Sequence, residues 1–329
     1  MAQSGSQPLL FALGASRPFG EAIAARLGLE LSDHEERDFV DGEHKARPLV
    51  EVGNRDVYVV HSLAGDATQS PNDKLVRLLF FIGALKQAGA ARVTAVTPYL
   101  PYARKDRRTK PRDPISIRYV ASLFEAVGTD CLLTFEVHNL AAFENAFRSC
   151  RAENLPSAGV LAEQLLPLLG DEPVVVVSPD SGGAKRANLF RSVLEKRLNR
   201  PVANALLEKH RSAGVVSGSL FAGKVEGCIA IIVDDLIASG GTIVRAARAC
   251  RYGGAVKTIA AAAHGLFSGG APELFGEEGP DLVYVCDGVD VPPVADPERL
   301  RIVSAAPLFA DAIARLSSGE PFYELLPYD

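Results

Sequence analysis

The sequence predicts an α/β protein of two units, each a mainly parallel sheet flanked by helices. Three observations carry that expectation: short apolar runs rich in β-branched residues recur along the 329-residue chain, helical patterns lie between them, and the rhythm restarts near residue 159. Strands that are apolar without alternation are buried on both faces, and their regular exchange with helices makes parallel crossovers. A chain of this length also exceeds the usual reach of one hydrophobic core.

In chain order, strands are expected at 56–62 (DVYVVHS), 92–100 (RVTAVTPYL), 131–137 (CLLTFEV), 173–180 (PVVVVSPD), 228–235 (CIAIIVDD) and 256–264 (VKTIAAAAH). Helices are expected at 72–90, 116–128 and 241–255. The loop RSCRAENLPSAG is the natural boundary and divides the chain into 1–150 and 151–329. The final helix, PLFADAIARLSSG, can pack on either half.

Composition narrows the function. A net charge of -5 argues against a general nucleic-acid binder, which carries a basic surplus. Cys131, Cys150, Cys228, Cys250 and Cys286 are scattered without a CxxC pair, the pattern of reduced thiols in a cytosolic protein without structural metal. The N-terminal MAQSGSQPLLFALGAS lacks a signal-peptide pattern, and no apolar run reaches the roughly 18 residues of a membrane span. A cytoplasmic location, away from membranes, is the expectation.

Parallel sheets bind ligands beyond the carboxyl ends of their strands, and the polar residues of this chain collect there. In IIVDDLIASGGT (231–242) the adjacent Asp234 and Asp235 repel one another, so something at that strand end favours negative charge. Ala238, Ser239, Gly240, Gly241 and Thr242 then form a tight turn into a helix, whose free N–H groups and dipole suit a phosphate. The two carboxylates lie within reach of sugar hydroxyls or a cation beside it.

TPYLPYARKDRRTKPRDPI (97–115) concentrates Arg104, Lys105, Arg107, Arg108, Lys110 and Arg112 in an acidic protein, around Asp106. Pro111 and Pro114 stiffen the stretch, which fits a rigid anion site better than a solvated tail. FVDGE (39–43) sets Phe39, Asp41 and Glu43 around a glycine turn. His138 and Asp180 each stand at the end of a strand, and EKHRSAG (208–214) places Lys209 and Arg211 two apart in a Gly- and Ser-rich stretch that reads as a mobile loop.

Together these motifs resemble the ribose-phosphate pyrophosphokinase (phosphoribosyl pyrophosphate, or PRPP, synthetase) family, over nearly the whole chain and in the right order. DDLIASGGT alone is equally similar to the PRPP loop of type I phosphoribosyltransferases; YARKDRR, FVDGE and the second α/β half separate the two, and SPDSGGAKR is nearly the family's full Ser-Pro-Asp-x-Gly-Gly-Ala-Lys-Arg run. The resemblance implies two phosphoribosyltransferase-type domains, the first on the ATP side and the second holding ribose 5-phosphate. It implies that Phe39, Asp41, Glu43, Arg104, Lys105 and Asp106 bind ATP, and that Asp234, Asp235 and residues 238–242 bind ribose 5-phosphate. It further implies that His138 and Asp180 hold Mg2+, and that Lys209 and Arg211 close over the reacting diphosphate. The implied assembly is a homo-oligomer with the nucleotide site at a subunit interface. Ala238 stands where many members carry an acid, Lys105 replaces their usual amide, and VCDGVDVPP (285–293) departs from a Thr-rich segment. A phosphoribosyltransferase-like enzyme and a catalytically silent regulatory subunit are the alternative readings.

Overall fold

The computed structural model describes residues 7–212 and 215–327, with the side chains of 208–221 outside the described residues. The chain divides into two compact units. One takes the chain through Leu155 with Gly288–Asp290 and Ala306–Leu326, and the other takes Pro156–Asp287 with Val291–Ala305.

The first unit opens with β1 (Leu9–Ala12), α1 (Arg17–Leu27), β2 (His34–Asp38), β3 (His44–Pro48), β4 (Asp56–Val60) and α2 (Pro71–Gln87). It continues with β5 (Arg92–Thr97), α3 (Ser116–Ala126), β6 (Cys131–Phe135), α4 (Leu140–Glu144) and β7 (Arg151–Leu155). The order β1-β4-β5-β6-β7 forms a five-stranded sheet whose neighbouring strands all pair in parallel, while β2 and β3 pair with each other as a separate antiparallel hairpin. β6 is buried at every position, as its mainly apolar run requires. The start of α2 is set by a capping box: Asp73 N–H donates to Ser70 Oγ, and Asp73 Oδ2 accepts from Ser70 N–H at 2.8 Å. Phe11, Val59, Phe81, Ile82 and Leu132 lie in the core against the helices.

The second unit runs through α5 (Ala158–Leu169), β8 (Val174–Ser178), α6 (Ala184–Leu198), β9 (Ala203–Ser212), β10 (Val215–Ala222) and β11 (Ile229–Ile237). It continues with α7 (Gly241–Tyr252), β12 (Lys257–Gly265), β13 (Leu282–Cys286) and β14 (Leu300–Val303). The seven-stranded order is β10-β9-β8-β11-β12-β13-β14, parallel except for the antiparallel β10 edge. The stretch expected as a loop around Lys209 and Arg211 has its backbone in β9 and β10, with Lys209 opposite Ser219 and Arg211 opposite Val216.

The chain then returns to the first unit as α8 (Ala306–Ser318). Its fully buried Phe309 meets Phe19 of α1 edge-on at 5.4 Å and Phe135 at the end of β6 at 5.8 Å. The α/β class and the mainly parallel sheets are as the sequence predicts.

Candidate active site

In the second unit the candidate residues gather at the carboxyl ends of β8 and β11. β11 runs two residues further than the sequence pattern suggests. Its ladder with β8 stops at Ile232, whereas its ladder with β12 continues through Ile237. Asp234 and Asp235 therefore sit inside a strand that has lost one neighbour, which leaves that flank facing the turn after β8.

Arg186, from the first turn of α6, answers part of the charge. Its Nη1 lies 3.7 Å from Asp234 Oδ1 and 3.5 Å from Asp235 Oδ1, and its side chain is largely buried. Burial and the neighbouring Asp235 carboxylate push the Asp234 carboxyl up to about 8, against the opposing pull of Arg186. Burial and mutual repulsion thus favour the protonated form of the pair, and a cation beside it would oppose that shift. Asp180 caps the turn between β8 and α6, its Oδ1 accepting from Gly182 N–H at 2.9 Å and Gly183 N–H at 3.1 Å.

After β11 the chain turns at Gly240, φ +84°, and α7 begins at Gly241 with no side-chain cap. Its first N–H groups are left for a ligand, the arrangement that favours phosphate. Ala238 C=O accepts from Ser268 N–H at 3.0 Å, and Ile237 C=O from Leu266 and Phe267 N–H, so the turn rests on the segment after β12. Ser239 is exposed, and Arg245, one turn into α7, donates to Thr242 Oγ1 at 3.1 Å. Arg186 lay within a motif and Arg245 within a helix pattern. Neither stands out by type, because their roles come from the strand ends they face.

In the first unit the basic loop follows β5. Arg104, Arg107, Arg108, Lys110 and Arg112 are exposed, but Lys105 is not free. Asp113 Oδ2 accepts from Lys105 Nζ at 2.6 Å, Thr109 Oγ1 at 2.8 Å, Thr109 N–H at 3.0 Å and Lys110 N–H at 2.9 Å. Those bonds, led by the Lys105 ammonium, hold the Asp113 carboxyl far below the usual carboxylate range. Asp106 Oδ2 accepts from Asn139 Nδ2 at 2.6 Å, and Asn139 Oδ1 caps α4, so the loop is joined to the turn that carries the exposed His138. Tyr102 and Glu136 have left-handed backbones, φ +64° and +46°, two residues before Arg104 and His138. Strain of that kind persists where surrounding structure enforces it.

FVDGE forms the turn of the β2–β3 hairpin. Phe39 N–H donates to Glu43 C=O at 2.8 Å, Glu43 N–H donates to Asp41 Oδ1 at 3.2 Å, and Gly42 has φ +91°. The Arg37 guanidinium lies 5.1 Å over the half-exposed Phe39 ring.

His138 belongs to the first unit and Asp180 to the second. Among the described residues no group of three or more His, Cys, Asp or Glu is arranged to hold a metal ion. The side chains of Lys209 and Arg211 lie outside the described residues.

Residues 9–128 match the N-terminal domain of ribose phosphate pyrophosphokinase, and residues 207–326 match the phosphoribosyl synthetase-associated domain. The ribose-phosphate pyrophosphokinase of Caldanaerobacter subterraneus subsp. tengcongensis is 38% identical over 309 residues, 93% of this chain and 94% of that protein. The one from Thermotoga maritima is 36% identical over 311 residues, with 93% and 94% covered. The crystal structure of phosphoribosylpyrophosphate synthetase from Mycobacterium smegmatis superposes with a TM-score of 0.86 at 31% identity, covering 95% of this chain and 100% of that one. On likeness that extends from β1 to α8, in sequence and in fold, this chain belongs to the ribose-phosphate pyrophosphokinase family.

Proposed function

We propose that this chain transfers the β,γ-diphosphoryl group of ATP to the 1-hydroxyl of ribose 5-phosphate. The hydroxyl oxygen attacks the β-phosphorus in line, the bond from that phosphorus to the α–β bridging oxygen breaks, the hydroxyl proton is lost, and AMP leaves. The observation that carries this reading is the Asp234–Asp235 pair near the end of the strand that leads, through the turn at 238–240, into an uncapped helix N-terminus, in a chain of this family. The carboxylates accept from the ribose 2- and 3-hydroxyls, and residues 238–242 bind the 5-phosphate through backbone N–H groups and the hydroxyls of Ser239 and Thr242. Arg104, the Asp106-linked loop and the Phe39, Asp41 and Glu43 turn receive ATP. Lys105, held by Asp113, shapes that loop.

Positioning and charge neutralisation supply most of the catalysis in such transfers. Lys209 and Arg211 stabilise the charge that develops on the diphosphate. The donor chemistry suits Mg2+: Asp180 presents a carboxylate fixed by two amides, the hard oxygen ligand this ion takes, and His138 is exposed at its strand end. When bound, Mg2+ neutralises the triphosphate and withdraws charge from the β-phosphorus. A second copy of the chain completes the nucleotide site with its FVDGE turn. No helix among the described residues is long and apolar enough to cross a membrane, and the five buried free thiols fit a reducing cytoplasm.

The test is AMP formation by the purified protein with ATP, Mg2+ and ribose 5-phosphate, each omitted in turn. AMP that depends on the sugar phosphate is the expected result. Its absence from folded protein that still associates with an active synthetase would identify a regulatory subunit instead.

A further inference from the structure

The β2–β3 hairpin cannot be held by its own strands. It belongs to neither large sheet, and of its ten strand residues only Ala46 and Pro48 are apolar. An isolated two-stranded hairpin is marginal in water, so tertiary contacts must decide where its turn points.

Those contacts are charged, and on the α2 side they are buried. Arg77 of α2 is 6% exposed, on a helix whose Val76 and Phe80 face outward at 40% and 62%. Arg77 Nη2 pairs with Asp38, the last residue of β2, and Nη1 lies 3.5 Å from Glu36 Oε2. Glu36 Oε1 accepts from Gly14 N–H at 2.8 Å and meets His34 Nε2 at 3.1 Å. One carboxylate therefore ties β2 both to α2 and to the turn after β1. His34 is wedged between Phe11 and Phe81, at 6.0 and 5.6 Å, and His44 stacks on Phe80 at 5.6 Å. The outward Phe80 thus serves the same hairpin that Arg77 grips from within.

We infer that Arg77, bridging Glu36 and Asp38, is a positioning residue that clamps the β2–β3 hairpin to α2 and so sets the Phe39–Glu43 turn for nucleotide. This rests on the reading of that turn as part of the ATP site. Asp38 directly precedes Phe39, so a shift at the clamp passes to the turn through one peptide bond. Arg77 and Glu36 are largely buried while Asp38 is exposed, and removing a charge from the buried side leaves its partner uncompensated, which makes the contact a device for fixing geometry.

The experiment compares Arg77→Met, Arg77→Lys and Phe39→Ala in the full-length protein, by amide hydrogen exchange and steady-state kinetics. For Arg77→Met, residues 34–48 should lose exchange protection. KM for ATP should rise about five- to tenfold, with kcat and KM for ribose 5-phosphate changed by no more than about twofold, the pattern of lost ground-state positioning. Arg77→Lys should recover part of the ATP affinity. Where Arg77→Met does not fold, Asp38→Asn at the exposed end of the clamp tests the same contact. Unchanged exchange in the hairpin, or KM for both substrates rising together, would overturn the proposal. If Phe39→Ala weakens ATP and Arg77→Met does not, the clamp is wrong and the turn's role stands. If the hairpin loosens and neither variant alters KM for ATP, the turn's assignment to ATP fails and takes the clamp's function with it.

Discussion

The turn between β11 and α7 contains two adjacent glycines that respond to a methyl group in opposite ways. Gly240 has φ +84°, and a Cβ built there would lie 2.8 Å from Leu274 Cβ, an atom next to the backbone of a fully buried residue. The left-handed conformation costs an L-residue roughly 1–2 kcal/mol, and overpacking a buried neighbour adds roughly 1–3 kcal/mol. Gly240→Ala should therefore destabilise the second unit by about 2–5 kcal/mol. Gly241 opens α7 without a positive φ, and a Cβ there meets nothing within 4 Å. Gly241→Ala should be neutral, or stabilising by up to about 1 kcal/mol, because alanine restricts the unfolded chain and favours helix. The same methyl enters the space above the helix N-terminus that we propose for the 5-phosphate. It should weaken ribose 5-phosphate by tenfold or more, about 1.4 kcal/mol. Thermal unfolding reads the first effect, and calorimetric titration of ribose 5-phosphate reads the second. Wild-type melting of Gly240→Ala would refute the strain argument, and wild-type sugar-phosphate affinity of Gly241→Ala would remove the phosphate from this turn.

Further expectations concern charge. Asp113→Ala should release Lys105 and the Thr109–Lys110 backbone, raising KM for ATP several-fold; unaltered hydrogen exchange over 105–112 would show that the carboxylate does not organise the loop. Burial and Asp235 hold a proton on Asp234 up to about pH 8 in the folded state, whereas the unfolded chain releases it near the usual value. That group's contribution is complete in acid and is lost as pH rises toward 8, so the unliganded protein should lose stability across that interval, and Asp234→Asn should flatten the decline. Equal slopes in the two proteins would reject the shared proton. Lys209→Ala should lower kcat by roughly a hundredfold or more with little change in substrate affinity, the signature of an interaction made in the transition state; an unchanged turnover number would remove Lys209 from the chemistry.

Much of the fold was legible because parallel sheets write themselves locally. A strand buried on both faces must be nearly all apolar, as in VVVVS of β8 and CLLTF of β6, where only Ser178 and Thr134 are polar, and the turns that follow carry polar residues in short, contiguous motifs. The separate hairpin was not legible, since HEERD and HKARP hold little apolar pattern and depend on partners far along the chain. The burial of Arg77 and Lys74 ran against composition as well. Arg77 finds Glu36 and Asp38, some forty residues earlier, and Lys74 finds Asp66 at 2.6 Å.

What the sequence alone determined was the α/β class, the inner strands β4, β5, β6, β8, β11 and β12 and the short motifs at their ends, because each of these is encoded within about ten neighbouring residues. Tertiary structure alone decided which charges neutralise which. It set Arg186 beside Asp234 and Asp235, Asp113 beneath Lys105, and α8 against α1. Those pairings join residues by the space they share once the strands have aligned, and a linear pattern carries no record of that distance.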